Sequence, residues 1–524
     1  MTLSLLLALA AQAAPAPPPR PKLVVMITVD QLRPDYLDRY RSQLTGGLAL
    51  LRREGAVFTA AYQDHAVTET APGHATVLSG RWPAHTGIVS NVLGVLDDGA
   101  PLLEVAGLGA SPVRFRGTAF FDWLKASHPG ARALSVSRKD RGAILPMGRA
   151  REHVYWYQSG LFTTSRYYAD TLPQWVRAFN AKRIPFKAAG TEWRLLLPDS
   201  AYSEPDDEPW ENGGRAATFP YRLPDDSAQA AALFAGVPAM DSLTLAFALA
   251  GARALGLGAR GSIDLLAVSL STTDAVGHAF GPDSREIHDQ VLRLDRYLGW
   301  FLAALVQRYG RQNLLIALTA DHGVTPFPDR SRTQGHPDAT NVEPVGVLHA
   351  INAELAQRVG SGAGDWLSFD TGMFILGAGG RESLVAAGVG IDSLVGVLAD
   401  RVRALPGVAR VDRPADLAGV DTVADPGGRR WLHHLPPDAG VVLVATLEPY
   451  SVWGGALIAE HGQPSDLDAQ VPFILWGGGG RIRRGVYRAR ANTVDIAPTL
   501  ARLLRVRPLE QLDGRVLVEA LTQR

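Results

Sequence analysis

The sequence predicts an α/β protein built on a doubly wound, mostly parallel sheet flanked by helices, with an inserted cap or side subdomain. Three observations predict it. Near-uniformly apolar runs at Lys22 to Val29, Ile263 to Leu270 and Asn313 to Thr319 suit strands buried on both faces. Helical periodicity alternates with such runs over most of the chain. Between about 150 and 235 the pattern changes: Trp, Tyr, Pro and charged residues crowd in and the alternation fades.

In chain order, Thr2 to Ala14 is a short apolar run ending in Ala11-Gln12-Ala13, followed by a Pro-rich stretch. It reads as a secretory signal over 1–14, cleaved near Ala13 or Ala14, although no Lys or Arg precedes it. An uncleaved N-terminal anchor is the alternative. Cleavage leaves a periplasmic or extracellular protein, and no later run reaches the roughly 18 apolar residues of a membrane span. The first strand, Lys22 to Val29, leads directly into Asp30. Helices are expected at Asp35 to Arg53, Ser393 to Leu405 and Thr493 to Leu504. The clearest is Asp283 to Tyr309, where Asp283 and Glu286 form a capping pair and Ile287, Val291, Leu294, Leu298, Phe301 and Leu305 recur three or four apart. The strand Ile263 to Leu270 precedes Asp274, and Asn313 to Thr319 precedes Asp321-His322. A second irregular insertion is expected at about 330–440. Three strands thus deliver carboxylates to one sheet edge, where open α/β sheets bind ligands.

Composition narrows the chemistry. Fifty-two basic residues balance 52 acidic ones in 524. That balance predicts no nucleic-acid or anionic-membrane surface, and it requires a phosphate ligand to be held by local charges. The chain has no cysteine, so a metal needs His, Asp or Glu.

The residues that can supply such a site are Asp30, Asp274, His278, Asp321, His322 and His461. Asp274 and His278 share a face on one helical turn. Asp321-His322 stands at a strand end before Gly323, and His461 precedes the apolar run Val471 to Trp476. Three Asp and three His suit zinc. Alone, each of these pairs is more often structural. Thr70, before Ala71-Pro72-Gly73-His74, fits a nucleophile at a helix N-terminus, where backbone N–H groups and the helix dipole favour an anion. It also reads as a plain N-cap. Asn91 is a phosphate donor or a turn residue. Lys139 and Arg141, two apart, point the same way in an extended segment and suit a phosphate, or form a solvated loop.

Taken together, Asp30, Thr70-Ala-Pro-Gly-His74, Asn91, Lys139-Asp-Arg141, Asp274-x-x-x-His278, Asp321-His322-Gly and His461-Gly resemble the bacterial phosphate-irrepressible alkaline phosphatases. These are threonine-nucleophile members of the alkaline phosphatase superfamily, close to the nucleotide pyrophosphatase/phosphodiesterases. Asp495-Ile-Ala-Pro-Thr-Leu and Asp513-Gly514 add to the likeness, which spans most of a hydrolase domain at 22–524. It implies an alkaline-phosphatase-like fold. It also implies one Zn2+ on Asp274, His278 and His461, and a second on Asp30, Asp321 and His322 with Thr70. Lys139, Arg141 and Asn91 would contact phosphate oxygens. The implied reaction is hydrolysis of small phosphate monoesters at alkaline pH through a phosphothreonine. Further structural ions such as Ca2+ stay open. The alternatives are a phosphodiesterase or nucleotide pyrophosphatase and, in another class, an inactive secreted binding protein on the same scaffold. A sulfatase lacks its Cys or Ser-x-Pro-x-Arg precursor here.

Overall fold

The computed structural model describes residues 20–215, 218–360, 364–454 and 458–522. The leader expected at 1–14 lies outside them. The apolar runs form strands close to where the sequence places them. They are β1 (Leu23–Val29), β2 (Ala56–Tyr62), β3 (Ala133–Ser137), β4 (His153–Gln158), β5 (Leu161–Thr163), β6 (Asp264–Leu270) and β7 (Leu314–Thr319). Then come β8 (Leu367–Asp370), β9 (Met373–Leu376), β10 (Val408–Asp412), β11 (Val441–Leu447), β12 (Gln470–Gly477), β13 (Gly485–Tyr487) and β14 (Ala491–Asn492).

Ten of these make the central sheet, in the order β13-β2-β12-β7-β1-β6-β3-β4-β5, with β14 also on β2. The sheet is mixed: β12 runs antiparallel to both β2 and β7, and β5 antiparallel to β4. Every residue of β1, β6 and β7 is buried, which is why their sequences read as unbroken apolar runs. β6 and β7 flank β1 in parallel register. The C-terminal ends of the three therefore lie side by side.

The helices that matter to the site are α1 (Thr70–Ser79), α2 (Ala239–Ala254), α3 (Thr272–Phe280), α4 (Arg285–Tyr309) and α5 (Ile496–Leu504). α2 and α3 both pack on α4, and α1 packs with α5 and the helix Asp140–Ile144. α4 is capped by Ser284, whose Oγ accepts from Ile287 N at 3.1 Å, and not by the expected Asp283. The helix expected at Asp35 to Arg53 is two helices, Tyr36–Arg39 and Gly47–Glu54.

The stretch at about 150–235 opens with β4 and β5 of the central sheet and continues through short helices and the two-stranded pair Glu192–Trp193 with Tyr221–Arg222. The stretch at about 330–440, whose pattern reads as irregular, is regular. Together with β11 it forms a four-stranded antiparallel sheet, β8-β9-β11-β10. Helices Val345–Val359 and Ile391–Arg403 enclose a separate core on it, with Ile351, Leu355, Phe374, Leu398 and Val402 buried. A third apolar cluster ties that sheet to the segment before α1: Ala66 and Val67 pack with Met373, Trp431 and Val444. The second sheet is thereby anchored beside Thr70.

Candidate active site

Strand ends, helices and two loop residues, Asn91 and His461, supply the candidate residues. Asp30 follows β1, and its N–H bonds to Leu270 O at the end of β6 (2.9 Å). Asp321 and His322 follow β7. Asp274 and His278 lie on α3, one turn apart. Thr70 is the first residue of α1. α1 crosses over Asp321 at Gly73, where a β-carbon would stand 2.4 Å from Asp321 O; only glycine permits that approach.

Asp30, Thr70, Asp321 and His322 are wholly buried, and Asp274 and His461 nearly so. Three groups of ligand atoms lie within 4.8 Å of one another: Asp30 with Asp321 and His322, Asp274 with His322 and His461, and His278 with Glu460 and His461. Among the described residues the groups that meet this distance all fall in this cluster, and nothing marks a further ion such as Ca2+.

The imidazoles are preset. His278 Nδ1 bonds to Ala459 O (2.7 Å), His461 Nδ1 to Thr68 O (2.8 Å) and His322 Nδ1 to Gly323 O (2.9 Å). Each Nδ1 donates to a carbonyl, so each Nε2 points at the carboxylates and becomes a metal ligand once it gives up its proton. Nε2 of His278 is 3.2 Å from Asp274, that of His461 is 3.6 Å from Asp274, and that of His322 is 3.3 Å from Asp30. Although buried, Asp30 Oδ1 and His322 Nε2 make no well-directed hydrogen bond, while Asp30 Oδ2 is met by Lys139 Nζ and Asp321 Oδ2 by His74 Nδ1. Such atoms are costly unless a cation or donor meets them.

The charges agree. Burial and Asp274 push the Asp30 carboxyl up, yet Lys139 and His322 outweigh them and hold it below the usual range. Burial also raises Asp274, but Lys139 and His278 bring it well below. Burial lowers His278, and Asp274 overrides it and lifts the imidazole to about 9. Burial is overridden likewise at His322, which Asp321, Asp30 and Asp274 lift to about 10. Buried ionised carboxylates drawing protons onto imidazoles are a site short of positive charge, and divalent cations fit it.

Lys139 stands in the middle of this field. Its Nζ lies 2.6 Å from Asp30 Oδ2 and 2.7 Å from Asp274 Oδ2, and it donates to Thr70 Oγ1 at 3.0 Å. Lys139 and Arg141 are not on an extended segment, as their spacing suggests. Lys139 is the N-cap and Arg141 lies in the first turn of the helix Asp140–Ile144. Both still line a cavity of about 440 Å3 with Thr70, Asn91, Arg138, Asp274, His278 and His461. Asn91 Oδ1 accepts from Ala71 N (2.9 Å), which leaves its amide N–H groups for a ligand.

Sequence reasoning missed the residues that hold these in place. Gln31, in the left-handed region at φ 65°, donates its N–H to Asp321 Oδ1 and its side-chain amide to Asp274 Oδ1, both at 3.2 Å. His74 Nδ1 is 2.9 Å from Thr70 O and 3.0 Å from Asp321 Oδ2, with Nε2 on Ser269 Oγ. Glu69 accepts from Asn91 N (2.6 Å) and Thr371 Oγ1 (2.7 Å). Burial, then Asp370, pushes the Glu69 carboxyl up. The one available signal was position, since Gln31, Glu69 and His74 each lie within four residues of a residue singled out for chemistry.

Comparison with known proteins agrees with the geometry. Residues 24–343 match the family model described as type I phosphodiesterase / nucleotide pyrophosphatase. The chain is 31% identical to alkaline phosphatase PhoK of a Sphingomonas species, over 95% of this chain and 90% of that one. It is 29% identical to alkaline phosphatase PafA of Elizabethkingia meningoseptica, over 95% and 94%. The crystal structure of wild-type PafA superposes with a TM-score of 0.87 at 28% identity, covering 96% of this chain and 99% of that one.

Proposed function

The chain belongs to the type I phosphodiesterase / nucleotide pyrophosphatase family and, like its whole-length relatives, is a metal-dependent phosphomonoesterase; we propose that its reaction runs through Thr70. The observation that carries this reading is the place of Thr70 Oγ1. It stands at the N-terminus of α1, against Lys139 Nζ, where the Asp30 and Asp274 ligand groups meet.

We assign Zn2+ to both metals, because mixed imidazole and carboxylate donors with no thiolate suit it. Asp274, His278 and His461 would hold one ion, and Asp30, Asp321 and His322 the other. When bound, such ions lower the pKa of a hydroxyl and stabilise charge on a departing oxygen.

The chain's own groups do the rest. The amide of Asn91, turned by the bond that its Oδ1 accepts from Ala71 N, faces the phosphate, and the dipole of α1 favours the anion at Thr70. Lys139 and Arg141 take its nonbridging oxygens, exchanging the carboxylates they now face for the substrate. Thr70 Oγ1 attacks phosphorus in line, the alcohol leaves on the opposite side, and water then frees phosphate from the phosphothreonine. The absence of net charge on the chain leaves binding to these local groups.

Phosphodiester hydrolysis is a second reading, favoured by the family's own description. Two cations beside the nucleophile suit a dianionic monoester better, so diesters fit as a side activity. An inactive scaffold would have lost a ligand or Thr70, and this chain keeps them all. We also propose export, with the leader cleaved near Ala13 or Ala14; the N-terminal sequence of the mature protein tests it. Among the described residues no single helix is long and apolar enough to cross a membrane.

Turnover of an aryl phosphate by protein of measured zinc content tests the reading. Activity that rises with zinc to two ions per chain, faster on the monoester than on the matched diester, is expected. Zinc-loaded protein without turnover would refute it.

A further inference from the structure

The second sheet reaches the cavity through the turn between β8 and β9. Asp370 of β8 pairs with Met373 of β9, so Thr371-Gly372 is a two-residue hairpin turn. Both residues have positive φ, 43° and 84°, the pattern of a type I′ turn. Asn, Asp or Gly is favoured at the first of these positions. Threonine, branched at Cβ, is strained there. The turn is firmly held. Gly372 O accepts from Ala445 N at 2.8 Å, and Met373 is buried against Ala66 and Val67. Strain of this kind persists where the side chain does what a better turn former could not.

Two contacts use the Thr371 side chain. Its methyl packs on Gly462, where a β-carbon would stand 2.5 Å from Thr371 Cγ2. Its Oγ1 donates to Glu69 Oε1 at 2.7 Å, with Asp370 Oδ1 a longer alternative at 3.3 Å. Glu69 Oε2 accepts from Asn91 N at 2.6 Å, and Asn91 Oδ1 accepts from Ala71 N at 2.9 Å. Thr371, Glu69 and Asn91 line the cavity with Thr70. One hydrogen-bonded chain therefore runs from the turn of the second sheet, through Glu69 and Asn91, to the residue after the nucleophile.

Each Glu69 oxygen is fixed by one bond, so Thr371 and Asn91 together set the plane of the carboxylate. Without the Thr371 hydroxyl that plane is free to turn, and Asn91 N loses its fixed partner. A phosphate contact misplaced by about 1 Å costs up to about a hundredfold in rate. We propose that Thr371 is a positioning residue for the reaction: through Glu69 it sets Asn91 against the phosphate oxygens, and the second sheet thereby completes the phosphate site. The proposal rests on the phosphatase reading and adds a residue from outside the central sheet.

Zinc-loaded Thr371→Val, Thr371→Gly and Thr371→Ser test it, by kcat/KM on an aryl phosphate in the wild-type and Asn91→Ala backgrounds. Valine keeps the shape and loses the hydroxyl. Glycine adopts the turn freely, so a loss in that variant does not come from backbone strain. Both should lower kcat/KM about tenfold, and serine, which keeps the hydroxyl, should hold it within about threefold of wild type. With Asn91→Ala already in place, valine and glycine should cost less than about twofold, because the group they misplace is gone. Equal losses in the two backgrounds overturn the proposal, as do wild-type rates in Thr371→Val and Thr371→Gly. So does a Thr371→Gly protein that holds one zinc ion fewer per chain, since Thr371 would then act through Gly462 and His461. Absence of turnover in zinc-loaded wild type would instead sink the phosphatase reading beneath it.

Discussion

A β-carbon on Gly277 would stand 1.7 Å from the side-chain oxygen of Gln31. Gly277 therefore makes the room in which Gln31 sits, and Gln31 touches both candidate metal centres, Asp321 through its N–H and Asp274 through its amide. Its left-handed backbone is strain of the kind held at functional sites. Gly277→Ala should push Gln31 off Asp274, and Gln31→Ala should remove the bond outright. Both should lose zinc to a chelator about tenfold more readily, the usual cost of removing a group that orients a metal ligand. Competition against a chelator measures this, and wild-type retention in both variants would leave Gln31 as packing.

Lys139 and Arg141 should distinguish the two ester classes, because on the proposed reading they face nonbridging phosphate oxygens, one of which a diester replaces with a substituent. Lys139→Ala and Arg141→Ala should lower kcat/KM about tenfold more on an aryl monoester than on the matched diester. Equal losses on both would count against a monoester site.

Stability should fall with alkalinity through Glu211. Its carboxylate is buried with neither oxygen hydrogen-bonded. Burial, then Glu286 and Glu208, pushes it up to about 9. Unfolded, the group ionises near 4.5. Below that value both states are protonated and its contribution is complete. As pH rises toward 9 only the unfolded chain gives up the proton, so the folded state loses ground. Glu211→Gln should shrink the drop in Tm between pH 6 and pH 9 by about 2 °C or more. Thermal unfolding at the two values checks it, and an unchanged drop would place the titration elsewhere.

What could be read from the sequence follows from burial. β1, β6 and β7 are covered on both faces, so their runs are apolar throughout, and the acids at their ends mark the sheet edge. The ligand set came from the combined motifs, since Asp321-His322 or Asp274-x-x-x-His278 alone is unspecific. The second sheet did not show. β10 is only partly buried along its length, so its sequence carries neither a continuous apolar run nor clean alternation. Gln31 escaped because an amide is not a ligand, and its role depends on partners 243 and 290 positions away. The spacing of Lys139 and Arg141 reads as an extended segment with both side chains on one side, yet they reach one cavity from a helix start, since a cap and its first turn can also turn side chains the same way.

The central claim is that a threonine among six ligands attacks phosphorus. Metal-loaded Thr70→Ala tests it most directly, by zinc content and kcat on an aryl phosphate. The account predicts two zinc ions per chain, a folded protein, and kcat reduced at least about a thousandfold. A rate near that of wild type with both ions in place would contradict it.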